Sequence, residues 1–100
     1  MNKPGLHRFE IYAGKKSAGN LKDTLTHSFS MFEAQKVACT IAVNQKCDVS
    51  HWAYNDALHK WDYLGTFHED GTNTNAFGEV RRFTGNDDRR WAPIEEGGAK

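Results

Sequence analysis

The stretch "SFSMFEAQKVACTIAVNQKC", residues 28–47, carries the strongest structural pattern of the chain. Ser30 is a favourable N-cap residue, and Glu33 three positions later completes a capping box, so a helix is predicted to begin at about residue 31. Small apolar residues at helical spacing would let this helix lie close against a sheet, and they are Ala34, Val37, Ala38, Ile41 and Ala42. The stretch therefore predicts one helix packed across a sheet.

A second apolar stripe of this helix contains Phe32, Cys39 and Val43, and it lies on nearly the opposite side. A two-layer domain has one sheet for a helix to cover, so this stripe needs another occupant. The long loop after the first strand, the C-terminal tail or a partner chain would each serve. A homodimer is one arrangement that would cover it.

Alternation of apolar and polar residues predicts strands on both sides of the helix. Residues 6–13 alternate before it, and residues 14–29 read either as one long loop or as a loop with a short strand around 24–29. After the helix we expect a hairpin from "VSHWAYN" and "KWDYLGTF", a turn region from "HEDGTNTN", and a fourth strand from "AFGEVRRF".

The predicted fold is α+β: a small antiparallel sheet, β-α-β-β with an extra strand, with one helix packed across it. Residues 1–83 form this single domain. Residues 84–100, "TGNDDRRWAPIEEGGAK", are polar and glycine-rich apart from Trp91 and Ile94, so we expect a loosely ordered tail.

Charges of both signs balance over the 100 residues, since 13 Lys or Arg and 13 Asp or Glu give a net charge of zero. A nucleic-acid binder usually has a basic excess and a DNA mimic an acidic one, so the balance disfavours both. No apolar run approaches the length of a membrane span, and the first residues lack the apolar region of a secretory signal. With Cys39 and Cys47 read as free thiols, we expect a cytoplasmic protein.

The glycine-rich stretch "IYAGKKSAGN", residues 11–20, follows a predicted strand but does not fit a phosphate-binding loop. Such a loop needs Ser or Thr after its Gly-Lys pair, and Lys16 stands there. It also needs a glycine five positions before Gly14, where the chain has Phe9. We therefore expect no nucleotide cofactor.

Metal binding and catalysis have no specific motif in this chain. Zinc ligands usually include a close pair, which is missing from the spacing of the four candidates Cys39, Cys47, His51 and His59. A base and its orienting acid could be drawn from His59 with Asp62, or from His68 with Glu69 and Asp70, but no nucleophile motif accompanies them. The sequence predicts neither a metal site nor an enzyme.

Five large rings lie within sixteen residues of the predicted hairpin, and they are Trp52, Tyr54, Trp61, Tyr63 and Phe67. Strand periodicity predicts that Trp61, Tyr63 and Phe67 share one face. Most of these rings form the core, or they form an exposed stacking platform with Arg81 and Arg82 as phosphate contacts. Five rings cannot all face one short helix, so we expect one or two to be exposed.

No motif assigns the chain to a family. Its length, its βαββ-like plan and its lack of active-site motifs resemble the compact accessory proteins that phages and mobile elements encode against host defences, among them anti-CRISPR proteins. The resemblance implies a steric mechanism, in which a large host complex is bound and its nucleic-acid site or a conformational step is blocked. It covers no specific residues, so it assigns no site.

The sequence thus predicts a small non-enzymatic protein-binding module, an inhibitor or adaptor, whose partner is a larger protein complex and not a membrane. The alternative is a small single-stranded nucleic-acid-binding domain with an aromatic hairpin platform. The candidate partner-binding residues come from the first loop, the hairpin and the C-terminal part, and they are Lys15, Lys16, Trp61, Tyr63, Arg81, Arg82 and Trp91.

Overall fold

The computed structural model describes residues 5–94 and places one helix against one face of a seven-stranded antiparallel sheet. The predicted α+β fold is confirmed. In chain order the elements are β1 (Gly5–Tyr12), β2 (Leu21–Phe29), α1 (Met31–Gln45), β3 (Val49–Asn55), β4 (Lys60–Phe67), β5 (Thr72–Asn75), β6 (Val80–Phe83), a 3-10 turn (Asp87–Arg89) and β7 (Trp91–Pro93). The strand order across the sheet is β2-β1-β3-β4-β5-β6-β7.

The capping box at the start of α1 forms as predicted. The Glu33 N–H donates to Ser30 Oγ at 3.2 Å, and the Ser30 N–H donates to Glu33 Oε1 at 3.1 Å. Three alanines of the helix are fully buried against the sheet: Ala34, Ala38 and Ala42. Their small side chains let the helix lie close to the sheet, so bulky strand residues supply most of the core volume.

The core lies between α1 and the central strands, and its largest apolar members are Phe9, Ile11, Val49 and Phe67. Rings from the last two strands extend it, because Phe83 lies 5.9 Å and Trp91 6.0 Å from the Phe67 ring centroid. The second stripe of α1 is thereby partly covered within the chain, since Phe32 lies 6.1 Å from Phe83.

The region after β4 differs from its prediction. Residues 72–75 form β5, whereas the sequence suggested a turn there, and residues 76–79 form a turn in place of a strand. Asn75 closes this turn, because its Oδ1 accepts from the N–H groups of Phe77 at 2.9 Å and Glu79 at 3.0 Å. The short polar strand is held by its neighbours on both sides, β4 and β6.

The predicted tail also contains regular structure in its described part. Residues 84–94 include the 3-10 turn and β7, which pairs with β6 through Phe83 and Trp91. Residues 95–100 of that prediction lie outside the described residues.

A β-bulge in β4 decides which side chains reach the core. His51 pairs with Gly65 but Trp52 pairs with Tyr63, so Leu64 is an extra residue opposite that junction. The prediction that Phe67 shares a face with Trp61 and Tyr63 is therefore wrong. The extra residue reverses the alternation, which sends Phe67 to the helix side and leaves the two earlier rings on the opposite side.

Gly65 makes the bulge sterically feasible. Its φ of +148° is rarely adopted by other residues, and a Cβ there would stand 2.7 Å from the Thr74 carbonyl oxygen of β5.

Replacing Gly65 with alanine is expected to lower the free energy of unfolding by about 2 kcal/mol or more, through backbone strain and this clash. Urea denaturation measures the change. Gly19→Ala is the matched control, because a Cβ at Gly19 meets nothing within 4 Å, and it should stay within about 0.5 kcal/mol of the parent. Equal effects of the two substitutions would contradict the assigned bulge.

Two buried histidines bond to each other beneath the helix. His7 Nδ1 lies 2.9 Å from His51 Nε2, and both rings are buried. One nitrogen must donate and the other accept, so the pair is satisfied when both rings are neutral. Burial lowers the pKa of His51 to about 3, with the neighbouring His7 a smaller cause, and burial also lowers the pKa of His7.

This pair predicts acid-sensitive stability. Below about pH 6.5 the two imidazoles become protonated in the unfolded chain but stay neutral in the folded protein. Acid therefore favours unfolding. The contribution of the neutral pair to the free energy of unfolding is complete above that pH. It is lost as the pH falls toward 3, at about 1.4 kcal/mol per pH unit for His51. Urea denaturation between pH 7.5 and 5, a range of about 2.5 units, measures the slope.

The double variant His7→Leu/His51→Leu should flatten that slope, since it removes both titrating groups and leaves no orphaned partner. The exposed His59→Asn serves as the control and should keep the parental slope. A parental slope in the double variant would show that other groups cause the acid sensitivity.

Candidate interaction face

The sheet face opposite α1 carries four large rings at its centre. We call Trp52 and Tyr54 of β3 with Trp61 and Tyr63 of β4 the aromatic face. All four are half-buried, and the one α-helix within residues 5–94 packs on the opposite face of the sheet. Large rings on an uncovered sheet face are a typical feature of an interaction surface.

The four rings form two cross-strand pairs. Trp52 and Tyr63 have centroids 5.1 Å apart with planes tilted by 55°, and Tyr54 meets Trp61 edge-on at 5.2 Å. Each pair also lies in register across β3 and β4. Such arrangements contribute about 0.5–1.5 kcal/mol per pair beyond the burial of area, so the rings hold one another in place.

Two cations lie over these rings. The Arg8 guanidinium carbon is 4.2 Å from the Trp61 ring centroid, and Lys16 Nζ is 4.6 Å from that of Tyr63. The ion pairs found among the described residues involve neither cation. The aromatic face therefore carries two cations that join none of these ion pairs.

Polar contacts fix the orientation of two of the rings. The Trp52 indole N–H donates to Glu10 Oε1 at 2.9 Å, and the Tyr12 hydroxyl donates to the same oxygen at 3.4 Å. The Tyr63 hydroxyl bonds to the Thr66 hydroxyl, which in turn lies 2.9 Å from the Ser50 hydroxyl. Burial, followed by the charge of Glu10, raises the pKa of Tyr12, so this phenol stays a neutral donor.

The structure brings together three of the predicted partner-binding residues: Lys16, Trp61 and Tyr63. Lys15 belongs to the same loop as Lys16 and borders a neighbouring cleft. Arg82 is exposed and donates from Nη1 to the Asp70 carbonyl oxygen at 2.9 Å.

Arg81 and Trp91 lie on the other side of the sheet, with the core. The Arg81 guanidinium carbon is 3.7 Å from the Trp91 ring centroid, and Trp91 packs on Phe67 and Phe83. Burial lowers the pKa of Arg81. These two residues are thus separated from the aromatic face.

Three residues of the site were not predicted from the sequence: Arg8, Glu10 and Tyr12. Their alternation with Phe9 and Ile11 does place them on the face opposite the core. Nothing in the sequence indicates that β1 pairs with β3, and that pairing brings Arg8 opposite Trp52.

A cleft of about 380 Å³ adjoins the loop between β1 and β2 and the ends of β4 and β5. In it, His68 Nδ1 lies 2.9 Å from Asp48 Oδ1, and His68 Nε2 lies 2.8 Å from Thr74 Oγ1. The order carboxylate, imidazole, hydroxyl is also that of hydrolytic triads. Here the Asp48 carboxylate also accepts the Lys16 N–H, at 2.8 Å. The network thus joins the β1–β2 loop to the residue before β3, the residue after β4 and a residue of β5.

Comparison with protein-family models, with curated proteins and with solved structures found no match. Between residues 5 and 94, no helix has the length and apolarity needed to cross a membrane. Over the same residues, no group of three or more His, Cys, Asp or Glu side chains is placed to hold a metal ion.

A double-mutant cycle tests whether the ring pairs are energetically coupled. Tyr54→Ala and Trp61→Ala, singly and together, should give a coupling free energy of about 0.5–1.5 kcal/mol in urea denaturation. The control cycle combines Tyr54→Ala with Phe77→Ala, whose ring is 90% exposed on the β5–β6 turn, and should be additive. Additivity in both cycles would contradict the assigned Tyr54–Trp61 contact.

Proposed function

We propose that the protein is a non-enzymatic protein-binding module that uses its aromatic face to occupy the surface of a larger complex, as an inhibitor or adaptor. The observation that carries the proposal is the set of four half-buried rings on an uncovered sheet face, with two cations over them that join none of the ion pairs of residues 5–94. Trp, Tyr and Arg are the residues most enriched at the energetic centres of protein interfaces.

Pre-organisation supports this proposal. The two ring pairs and the hydrogen bonds to Glu10 and Thr66 already fix the side chains that a partner would contact. Binding then loses less side-chain entropy, which would otherwise reduce affinity. Arg8 and Lys16 would pair with carboxylates of the partner, so we expect an apolar partner surface flanked by acidic side chains.

The mechanism in this proposal is steric. The domain measures 44 × 36 × 24 Å, which is large enough to cover a site on a larger assembly. An anti-defence role of the anti-CRISPR kind would consist of covering a nucleic-acid site, or blocking a conformational step, of a host complex. The protein would work in the cytoplasm, where its two free cysteines stay reduced.

A second candidate function is binding of single-stranded nucleic acid. Rings on adjacent central strands with Arg8 and Lys16 beside them resemble a stacking platform with phosphate contacts. Two observations favour a protein partner over this candidate. The cations already cover one face each of Trp61 and Tyr63, and the net charge of the chain is zero.

Affinity capture with the tagged protein, with and without nuclease, tests the proposal. We expect one stoichiometric protein complex that survives nuclease, and Trp61→Ala should weaken its binding about thirtyfold. Phe77→Ala, an exposed ring outside the aromatic face, is the matched control and should bind as the parent does. Circular dichroism of both variants checks that they fold.

A short single-stranded oligonucleotide separates the two candidates. If nucleic acid alone is captured, and oligonucleotide binding falls steeply between 50 and 200 mM salt, an interval of about fourfold, the second candidate replaces the first. Capture of neither would overturn both.

A further inference from the structure

The nine-residue strand β2 forms one edge of the sheet. It pairs with β1 on its inner side, and no strand within residues 5–94 pairs with its outer side. Natural edge strands are usually guarded by lysine, proline or a bulge. In β2 the bulge, Lys22 and Asp23 are confined to the first residues, and residues 24–28, "TLTHS", contain neither lysine nor proline.

Hydrogen bonds of β1 show which groups of β2 point outward. The Tyr12 N–H donates to the Asp48 carbonyl on the β3 side, and the Ala13 N–H donates to the Asn20 carbonyl on the β2 side. Odd-numbered residues of β1 therefore bond toward β2. Their partners across the ladder are Asp23, Leu25 and His27, so the N–H and C=O groups of the residues between them, Thr24, Thr26 and Ser28, point away from the sheet.

The outer edge of β2 is complementary to itself about Leu25. If a second copy pairs antiparallel with a two-fold axis at Leu25, Thr24 of one copy exchanges backbone hydrogen bonds with Thr26 of the other. Asp23 then faces His27 twice, once on each side of the axis, and Leu25 faces Leu25. Both Asp23 and His27 are exposed. In the single copy Asp23 Oδ1 accepts the Thr24 N–H at 2.8 Å. Pairing of that N–H with Thr26 of the second copy would replace this bond, and the carboxylate could then accept the His27 imidazole N–H.

We propose that the protein forms a homodimer through β2, with antiparallel pairing centred on Leu25. The two sheets become continuous across the axis. Because residues of one face meet residues of the same face, the two aromatic faces lie on the same side of the dimer. A partner with two equivalent sites could then be bound by both. The dimer itself does not depend on the proposed function.

Sedimentation equilibrium of the full chain tests the association. We expect a monomer–dimer equilibrium at micromolar to submillimolar concentration, a range of about 10⁻⁶ to 10⁻³ M. His27→Asp sets two carboxylates against each other on both sides of the axis and should raise the dissociation constant about tenfold. The exchange Asp23→His/His27→Asp restores both carboxylate–imidazole pairs and should restore the affinity. If the parent stays monomeric over this whole concentration range, the proposal is overturned, and the edge of β2 would then be available only to a strand of another protein.

Disulfide trapping tests the register of the β2–β2 pairing. It does not depend on the stability of the variants at Asp23 and His27. Leu25→Cys places two thiols at the axis in a non-hydrogen-bonded pair, where Cα atoms are about 4.5 Å apart and a disulfide can form. Thr24→Cys faces Thr26 of the second copy, so it is the matched control. Oxidation should give a covalent dimer with the first variant alone on a non-reducing gel. Equal trapping of both variants, or none, overturns the pairing at Leu25.

Discussion

One fifteen-residue helix has to cover a seven-stranded sheet, and this limit determines the rest of the structure. The helix shields the central strands on one side, and its small alanines leave the bulk of the core to Phe9 and Phe67. Phe83 and Trp91 extend that core beyond the reach of the helix. The opposite side of the sheet has no second layer within the described range, so its large rings are left for another use.

The uncovered side stays water-compatible because its rings cover one another. The two ring pairs bury part of each ring, while Arg8 lies across Trp61 and the exposed Lys16 lies across Tyr63. Glu10 binds the polar edge of Trp52. The result is a surface that is fixed in shape before any partner arrives, and this links the packing of the fold to its proposed use in binding.

Local patterns were enough to predict α1 with its capping box, and the strands β3 and β4. They could not predict β5, since four Thr and Asn residues become a strand only between two neighbours. Nor could the bulge at Leu64 be predicted, because the alternation of residue types in β4 looks regular in the sequence and the bulge reverses it. Within the aromatic face and its contacts, the residue types of Trp61, Tyr63 and Lys16 suggest binding from the sequence alone. The positions of Arg8 and Glu10 depend on the pairing of β1 with β3, which no local pattern indicates.

Nuclear Overhauser contacts of the three indole rings would test the central claim most directly, namely that the bulge leaves the aromatic face on the side away from the helix. We predict contacts from Trp61 to Tyr54 and Arg8, and from Trp52 to Tyr63. Trp91 alone should contact Phe67 and Phe83 of the core. Contacts between Trp61 and the methyl groups of the buried helix alanines would place that ring in the core and contradict the account.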